Sequence, residues 1–495
     1  MLDSIPDSLL DEPQLLGYQE VKRRSVSGVL ALISRTFAIQ IISFIATLAL
    51  TIFLDPSTYG IYYLVSSVVS FLSYFSDIGL AAALIQKKET ITKEDLSTTF
   101  TVQQFLVLSL LLLLYLVSPF VQKQYGIDKS GMYLMYAMGV SLFLSSLKTI
   151  PSIMLEREIK FNKLILPQIL ETLAFNFVAV YFAWKGYGVT SFSMAVLSRG
   201  VVGLVAMYII YPWRPLIGIY RGSLRSLLRF GLPYQANTFL AVLKDDGMTI
   251  ILTKIIGTTG LGYIGWASKW AGLPLRIVMD NLTKVSFPTY ARLQHDKEKL
   301  ARAVEISLKY MCLASFPVLV GMGFFALPLV HLIPKYTKWL PALIPLYIYL
   351  YNSAWASVST SLTNLLNATG HIKSTFKLML MWTGLTWATM PLLSLKFGYL
   401  GVSYAVAIIA TSSIVTIFMA RKYVQFNLFN ILKTPLLATL SMSIFLSLSI
   451  RFGTSTLTLI AIGVFSSAIY FSTVIFFEGV AFVKNTLNYF KIKHV

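Results

Sequence analysis

The chain has 495 residues, 56% of them hydrophobic and 13% charged, and a mean hydropathy of +0.71. That balance excludes an ordinary soluble domain and marks an integral membrane protein. The net charge of +20 then reads as basic loops and a basic interior, without nucleic-acid binding. The single cysteine, Cys312, leaves no disulfide framework or cysteine metal site.

Residues 1–24 begin acidic, with Asp3, Asp7, Asp11 and Glu12, and end in Lys22, Arg23 and Arg24. A secretory signal has the opposite order, so this stretch is expected to be a cytosolic segment: a short surface helix around Leu9–Val21 or an unstructured tail. Beyond it, about fourteen stretches reach the ~20 apolar residues needed to cross the hydrocarbon core. They fall near 27–54, 58–85, 99–119, 131–155, 164–184, 187–213, 231–256, 260–289, 303–330, 340–366, 374–395, 398–420, 432–450 and 455–478, with soft ends at Gly272–Pro274 and Pro317–Gly323. They are about twice as long as barrel strands and do not alternate, which excludes a β-barrel.

With the N-terminus inside, 25 Lys and Arg residues fall in cytoplasmic segments and 7 in outer loops. The positive-inside rule therefore predicts that both termini are cytoplasmic. The chain also echoes itself. STYGIYYLVSS (57–67) parallels TGLGYIGWASK (259–269), with Gly60 matching Gly262; KEDL (93–96) parallels KEKL (297–300); KGYGV (185–189) parallels FGYLGV (397–402). Three echoes in one order at nearly constant spacing predict two six-helix repeats of the same orientation. The expected fold is an all-α polytopic membrane protein with two lobes around a central cavity and two added C-terminal helices. Its parts are the segment 1–24, an N-lobe over 25–213, a cytosolic linker over 214–230, a C-lobe over 231–420, two further spans within 421–478 and a tail over 479–495.

Charges within the spans carry the functional reading. Lys244, Asp245 and Asp246 interrupt FLAVLKDDGMTIILTKIIG (239–257) and would cost on the order of 7–10 kcal/mol if all three faced lipid. Either a wide aqueous cavity receives them, or KDDG is a turn between two short helices beside such a cavity. Arg35, Asp77, Lys148, Glu171 and Arg199 lie in spans 1, 2, 4, 5 and 6. Lys269, Arg276, Asp280 and Lys284 recur at spacings of 7, 4 and 4, which puts them on one helix face. Lys148, Arg199 and Lys284 have the alternative of snorkelling or pairing with a carboxylate. Bases outnumber acids, so the guest is expected to be anionic, and phosphate or pyrophosphate suits guanidinium forks. Arg35, Lys148, Arg199, Lys244, Lys269 and Arg276 are the candidate substrate-binding residues. Asp77, Glu171, Asp245, Asp246 and Asp280 are candidates for ion coupling or charge balance.

Enzymatic signals are missing. Asp245-Asp246 continues as GMTI without the third Asp of a prenyltransferase motif, and the longest outer connection, around VQKQYGIDKSG, offers only Asp128. His295, His331, His371 and His494 lack metal-ligand spacing, and no phosphate-binding G-x-x-x-x-G-K-[ST] loop occurs. No catalytic residue, metal or cofactor is expected.

Two stretches carry a family resemblance. Residues 54–100, from LDPSTYGIYY through SDIGLAAALIQKK, resemble the region of Wzx-type polysaccharide flippases in which an outer loop enters span 2 and an Ala-Leu-Ile-Gln-basic motif closes it. MLEREIKFNKL (154–164) is similar to that family's Leu-x-Arg-Glu-x-x-Phe segment, with Arg157 and Phe161 in matching places. The resemblance spans roughly residues 20–430. It points to the polysaccharide-transport branch of the multidrug/oligosaccharidyl-lipid/polysaccharide (MOP) superfamily, with a MATE-like fold. It implies alternating access in the inner membrane and movement of an undecaprenyl-pyrophosphate-linked oligosaccharide from the cytoplasmic to the outer leaflet. Its implied partners are that lipid-linked substrate, membrane lipids, H+ or Na+ as a coupling ion, and polysaccharide polymerase machinery. A multidrug or cation antiporter of the same superfamily would instead need an acid-dominated cavity. A membrane glycosyltransferase or polymerase would need a catalytic outer loop.

Overall fold

The computed structural model describes residues 40–87 and 89–491, and side chains for all of these except 234, 236–238, 280, 281 and 480–491. The expected segment 1–24, Arg35 and the last residues of the tail lie outside the described residues, and so does the side chain of Asp280. No strand occurs among the described residues.

The chain divides into two compact units, Met1–Gly262 and Tyr263–Val495. In the first, α1 (Gln40–Phe53) and α2 (Pro56–Ser73) are followed by the short α3 (Leu80–Gln86) and the long α4 (Lys93–Tyr125). Then come α5 (Lys129–Leu147), α6 (Thr149–Arg157), α7 (Phe161–Trp184), α8 (Thr190–Ile210) and α9 (Arg221–Val242). Helix α8 packs along both α7 and α5, α4 and α2 lie against α5, and α3 sits on α9 and α6. Leu84, Phe100, Ile150, Leu155, Met207 and Leu227 close one end of this unit as a buried core.

Polar residues set the helix starts. Thr92 and Asp95 form a reciprocal capping box at α4: the Asp95 N–H donates to Thr92 Oγ1 (3.2 Å) and the Thr92 N–H to Asp95 Oδ2 (3.0 Å), satisfying amides that the helix leaves open. At α5 the cap is one-way: the Gly131 N–H donates to Asp128 Oδ1 (3.0 Å). Past its first turns α4 turns Phe105, Leu108, Leu112, Leu116 and Phe120 outward. That spacing is one continuous helix stripe, and an exposed apolar stripe on a spanning helix is a lipid-facing one.

The second unit begins within α10 (Met248–Leu293), which carries a non-helical break at Gly257 (φ 70°, ψ 172°). It continues through α11 (Lys297–Leu332), α12 (Leu343–Ala368), α13 (Ile372–Phe397), α14 (Tyr399–Ser412), α15 (Ile414–Arg421), α16 (Leu428–Ser449) and α17 (Thr456–Lys491). Helix α11 is the post of this unit, packing on α12 and on α16, while α16 pairs with α17 and α13 with α14. Tyr290, Leu308, Cys312, Leu362, Leu365 and Ile417 are among its buried core. The helices run through both Gly272–Pro274 and Pro317–Gly323; the prolines do not end them, because neighbouring helices tolerate the missing amide at membrane depth.

Nine of the described helices are long and apolar enough to span a membrane: α4, α5, α7, α8, α11, α13, α14 with α15, α16 with the turn after it, and α17 up to Gly479. Five expected spans fall outside that criterion. The first begins beyond the described residues, and the other four are broken up by Ser, Thr, Tyr, Asn or charge in α2, α9, α10 and α12. The count of fourteen therefore stays an expectation, while the all-helical multi-span architecture stands.

The first echo has a physical counterpart. A Cβ on Gly60 would overlap the Thr258 carbonyl, and one on Gly262 would overlap the Pro56 carbonyl. Positions 60 and 262 correspond in the echo, and 56 and 258 stand just before it at the same offset, so the two stretches cross each other reciprocally, backbone to backbone, where only glycine fits.

Candidate functional site

Lys148, Glu171 and Arg199 come from three different helices and meet. Lys148 sits at the junction of α5 and α6, Glu171 on α7 and Arg199 on α8. The Lys148 ammonium pairs with Glu171 Oε1, and Arg199 Nε lies 3.6 Å from Glu171 Oε2. The Lys148 and Glu171 side chains are 16% and 10% exposed, while Arg199 is 59% exposed. One turn beyond Arg199, Gly203 makes the room: a Cβ there would overlap the Glu171 carboxylate. Two cations share one carboxylate, which satisfies the buried ends and leaves the cluster with a positive charge on its exposed side.

The charged interruption is a π-helical turn, Leu243–Gly247, continuous with α9 before it and α10 after it. The alternative of a turn between two short helices is thus not what forms; the break in the chain comes ten residues later, at Gly257. Such a bulge widens the helix and is favoured at functional sites. Lys244 Nζ lies 2.5 Å from Asp245 Oδ1. Asp246 Oδ2 accepts a 2.8 Å hydrogen bond from Ser70 Oγ on α2. Ser70 was not visible as a site residue in sequence, since a serine in a span carries no signal of its own.

In the second unit Lys269, Arg276 and Lys284 are all exposed on α10, at spacings of 7 and 8. No described carboxylate lies within ion-pair distance of Lys269 or Arg276; Asp280, between them and Lys284, has no described side chain.

Asp77 accepts from the Ala81 N–H through both carboxylate oxygens (3.2 Å each), at the entry to α3, where Gly79 is left-handed (φ 77°). The two stretches that carry the family resemblance meet at the other end of α3. Arg157 donates to the carbonyls of Leu84 (2.9 Å), Lys87 (2.5 Å) and Glu89 (2.7 Å), and Lys87 Nζ pairs with Asp95 (2.6 Å). A third constellation had no sequence signal. Lys309 of α11 pairs with Glu478 Oε1 of α17 (2.5 Å), which also accepts from Thr434 Oγ1 of α16. Among the described residues no three His, Cys, Asp or Glu side chains are placed to hold a metal.

The described structure is a multi-span helical bundle with charges gathered inside its helices, a placement that marks functional groups in membrane proteins. Its fold is similar to those of two solved transporters, one of them described as a member of the MOP superfamily. The chain is similar to the lipid II flippase MurJ in an inward closed conformation (TM-score 0.70, 16% identity, 90% of this chain and 98% of that one). It is also similar to an inward-facing multidrug resistance MATE family transporter (TM-score 0.60, 16% identity, 79% and 97%). At these identities the likeness is one of fold.

The chain belongs to the polysaccharide biosynthesis protein family, whose family model matches residues 49–343. Among curated proteins it is 22% identical to the succinoglycan biosynthesis transport protein ExoT of Rhizobium meliloti (strain 1021), over 58% of each chain. It is 22% identical to the lipopolysaccharide biosynthesis protein WzxC of Escherichia coli (strain K12), over 72% of each. The chain spans little more than half the length of the first curated relatives it matches.

Proposed function

We propose that the protein moves an undecaprenyl-pyrophosphate-linked oligosaccharide from the cytoplasmic to the outer leaflet by alternating access, with 25–213 and 231–420 as the moving lobes and 214–230 joining them. The observation that carries this reading is the state of the carboxylates. Glu171 is engaged by two bases, Asp245 by Lys244, Asp246 by Ser70 and Asp77 by a backbone amide, while Lys269 and Arg276 stand exposed without a described carboxylate. An antiporter of organic cations would need a cavity in which acids outnumber bases. Lys269, Arg276 and Arg199 are the groups assigned to the pyrophosphate and acidic sugars; Arg35 joins them from its position in span 1, and Lys148 and Lys244 act through the carboxylates they hold. Asp246, hydrogen-bonded to a neutral serine and to no described base, is the leading candidate to couple transport to H+ or Na+. The protein then resides in the inner membrane with both termini cytoplasmic and supplies a polysaccharide polymerase.

Reconstitution in proteoliposomes with a fluorescent lipid-pyrophosphate glycan tests the reading. Lys269→Ala and Arg276→Ala are each expected to lower translocation about tenfold or more, on the order of one lost charge-assisted contact, and Lys269→Arg to retain most of it. Wild-type rates in both alanine variants, with folding intact, would sink the anionic-cargo assignment. Asp246→Asn is expected to abolish the response to an imposed H+ or Na+ gradient; an unchanged response removes Asp246 from coupling.

A further inference from the structure

The second unit holds a cavity of about 740 Å³ at the end of the bundle away from Lys297, Arg421 and Lys433. It is built by the last turns of α11, the first of α12 and the turn between α16 and α17. Gly323 and Phe324 of α11 and Tyr347 and Leu350 of α12 are among its walls, and His331 and Arg451 are the basic residues among its described lining. The volume suits a small-molecule ligand, a class that takes roughly 300–1,000 Å³.

Three features narrow the occupant. The walls are apolar, so water gains few partners there. The neighbouring surface is that of a lipid-facing bundle: Leu327, Phe452 and Leu457 are 45%, 65% and 80% exposed, so the molecule at hand is an acyl chain. At the rim stands Arg451, one of seven basic residues expected in the outer loops, where Lys and Arg are scarce. Its Nε donates to the Leu448 carbonyl (3.1 Å) and its guanidinium stacks 5.2 Å from the Phe452 ring centroid. Among the described residues the two Nη groups have no acceptor. A fixed guanidinium with two open N–H groups is a phosphate fork.

We infer that this cavity binds one anionic phospholipid of the bilayer, an acyl chain inside it and the headgroup phosphate at Arg451 beside His331. The inference is independent of the transported cargo. Gly323 supplies a selective plug. A Cβ there would stand 3.7 Å from Leu350 Cδ1, an ordinary contact, so Gly323→Ala fits, while Gly323→Phe fills the space the acyl chain would take.

Native mass spectrometry of the full chain, released from detergent after exchange with defined lipids, tests it. The wild type is expected to retain one phosphatidylglycerol about tenfold better than phosphatidylcholine. Arg451→Gln should erase that preference and Arg451→Lys keep part of it; Gly323→Phe should lose the bound lipid and Gly323→Ala keep it, all with wild-type thermal unfolding. Equal retention of the two lipids, or an unchanged preference in Arg451→Gln, overturns the proposal. So does displacement of the lipid by millimolar inorganic phosphate, which would mark a plain anion site, or by equimolar undecaprenyl phosphate, which would assign the cavity to the carrier lipid. Should Gly323→Phe unfold, Arg451→Gln alone decides.

Discussion

Glu171 stands between two cations, so its removal is not equivalent to theirs. Glu171→Gln leaves the Lys148 ammonium buried without a counter-charge, and breaking a buried pair in this way costs about 3–5 kcal/mol. Arg199→Ala leaves the Lys148–Glu171 pair intact and is expected to change stability by less than about 1 kcal/mol, because its side chain is 59% exposed. Thermal unfolding in detergent should therefore separate the two variants, while the transport assay should find Arg199→Ala impaired. Gly203→Val, which adds no charge and removes none, is expected to resemble Glu171→Gln in unfolding, since its side chain would occupy the carboxylate's place. An Arg199→Ala midpoint as low as that of Glu171→Gln would show that the exposed arginine is part of the buried pair after all. Arg157 is a different case: it latches three carbonyls, and Arg157→Lys keeps the charge but not the fork. A loss of about 2 kcal/mol is expected, read as a lower unfolding midpoint; an unchanged midpoint would show that one ammonium can replace the fork.

At the scale of elements, the appended pair α16 and α17 is held to α11 by Lys309, Glu478 and Thr434 at 22% and 15% exposure for the ion pair. Removing one charge should destabilise this attachment by about 3 kcal/mol, yet Lys309→Met with Glu478→Met is expected to return most of it, because apolar replacement of both partners of a buried pair is often neutral. The double variant's unfolding midpoint decides; a loss equal to the sum of the single variants would mean that the pair contributes nothing beyond each residue alone. Much of this scale was legible in sequence. Nine of the expected spans followed from run length, whereas the α4 and α5 starts, set by Thr92, Asp95 and Asp128, were not read from the sequence. The π turn was not legible, because KDDG reads equally as a helix interior or a corner: its charges announce a constraint but not the bulge that absorbs it. Nor was the Lys309–Glu478 tie, whose partners are 169 positions apart in sequence and belong to no periodic pattern.

For the whole molecule, the internal echo was read as a sign of two repeats, and the structure adds that the matched stretches touch. Gly60 meets Thr258 and Gly262 meets Pro56, so the residues that look alike also touch alike. Gly60→Val and Gly262→Val are accordingly expected to have matching effects, each destabilising by about 1–3 kcal/mol through overpacking and each lowering transport. A variant pair in which one is silent and the other severe would show that the crossing is not reciprocal in effect. The cargo-facing residues were only half legible. Sequence placed these charges inside expected spans and offered carboxylate pairing as an alternative for Lys148 and Arg199, but it did not identify Glu171 as their common partner. Pairing is a property of three dimensions, and the acids concerned lie one residue away for Lys244 and 23 for Lys148.

The Arg157 latch also has a schedule. Its three acceptor carbonyls precede it by 73, 70 and 68 residues, and ribosomes add roughly 5–20 residues per second. Helix α3 is therefore synthesised and delivered to the membrane about 3–15 s before the guanidinium that fastens its end exists. During that interval its placement rests on Asp77, the left-handed turn at Gly79 and whatever insertion machinery is holding the nascent chain.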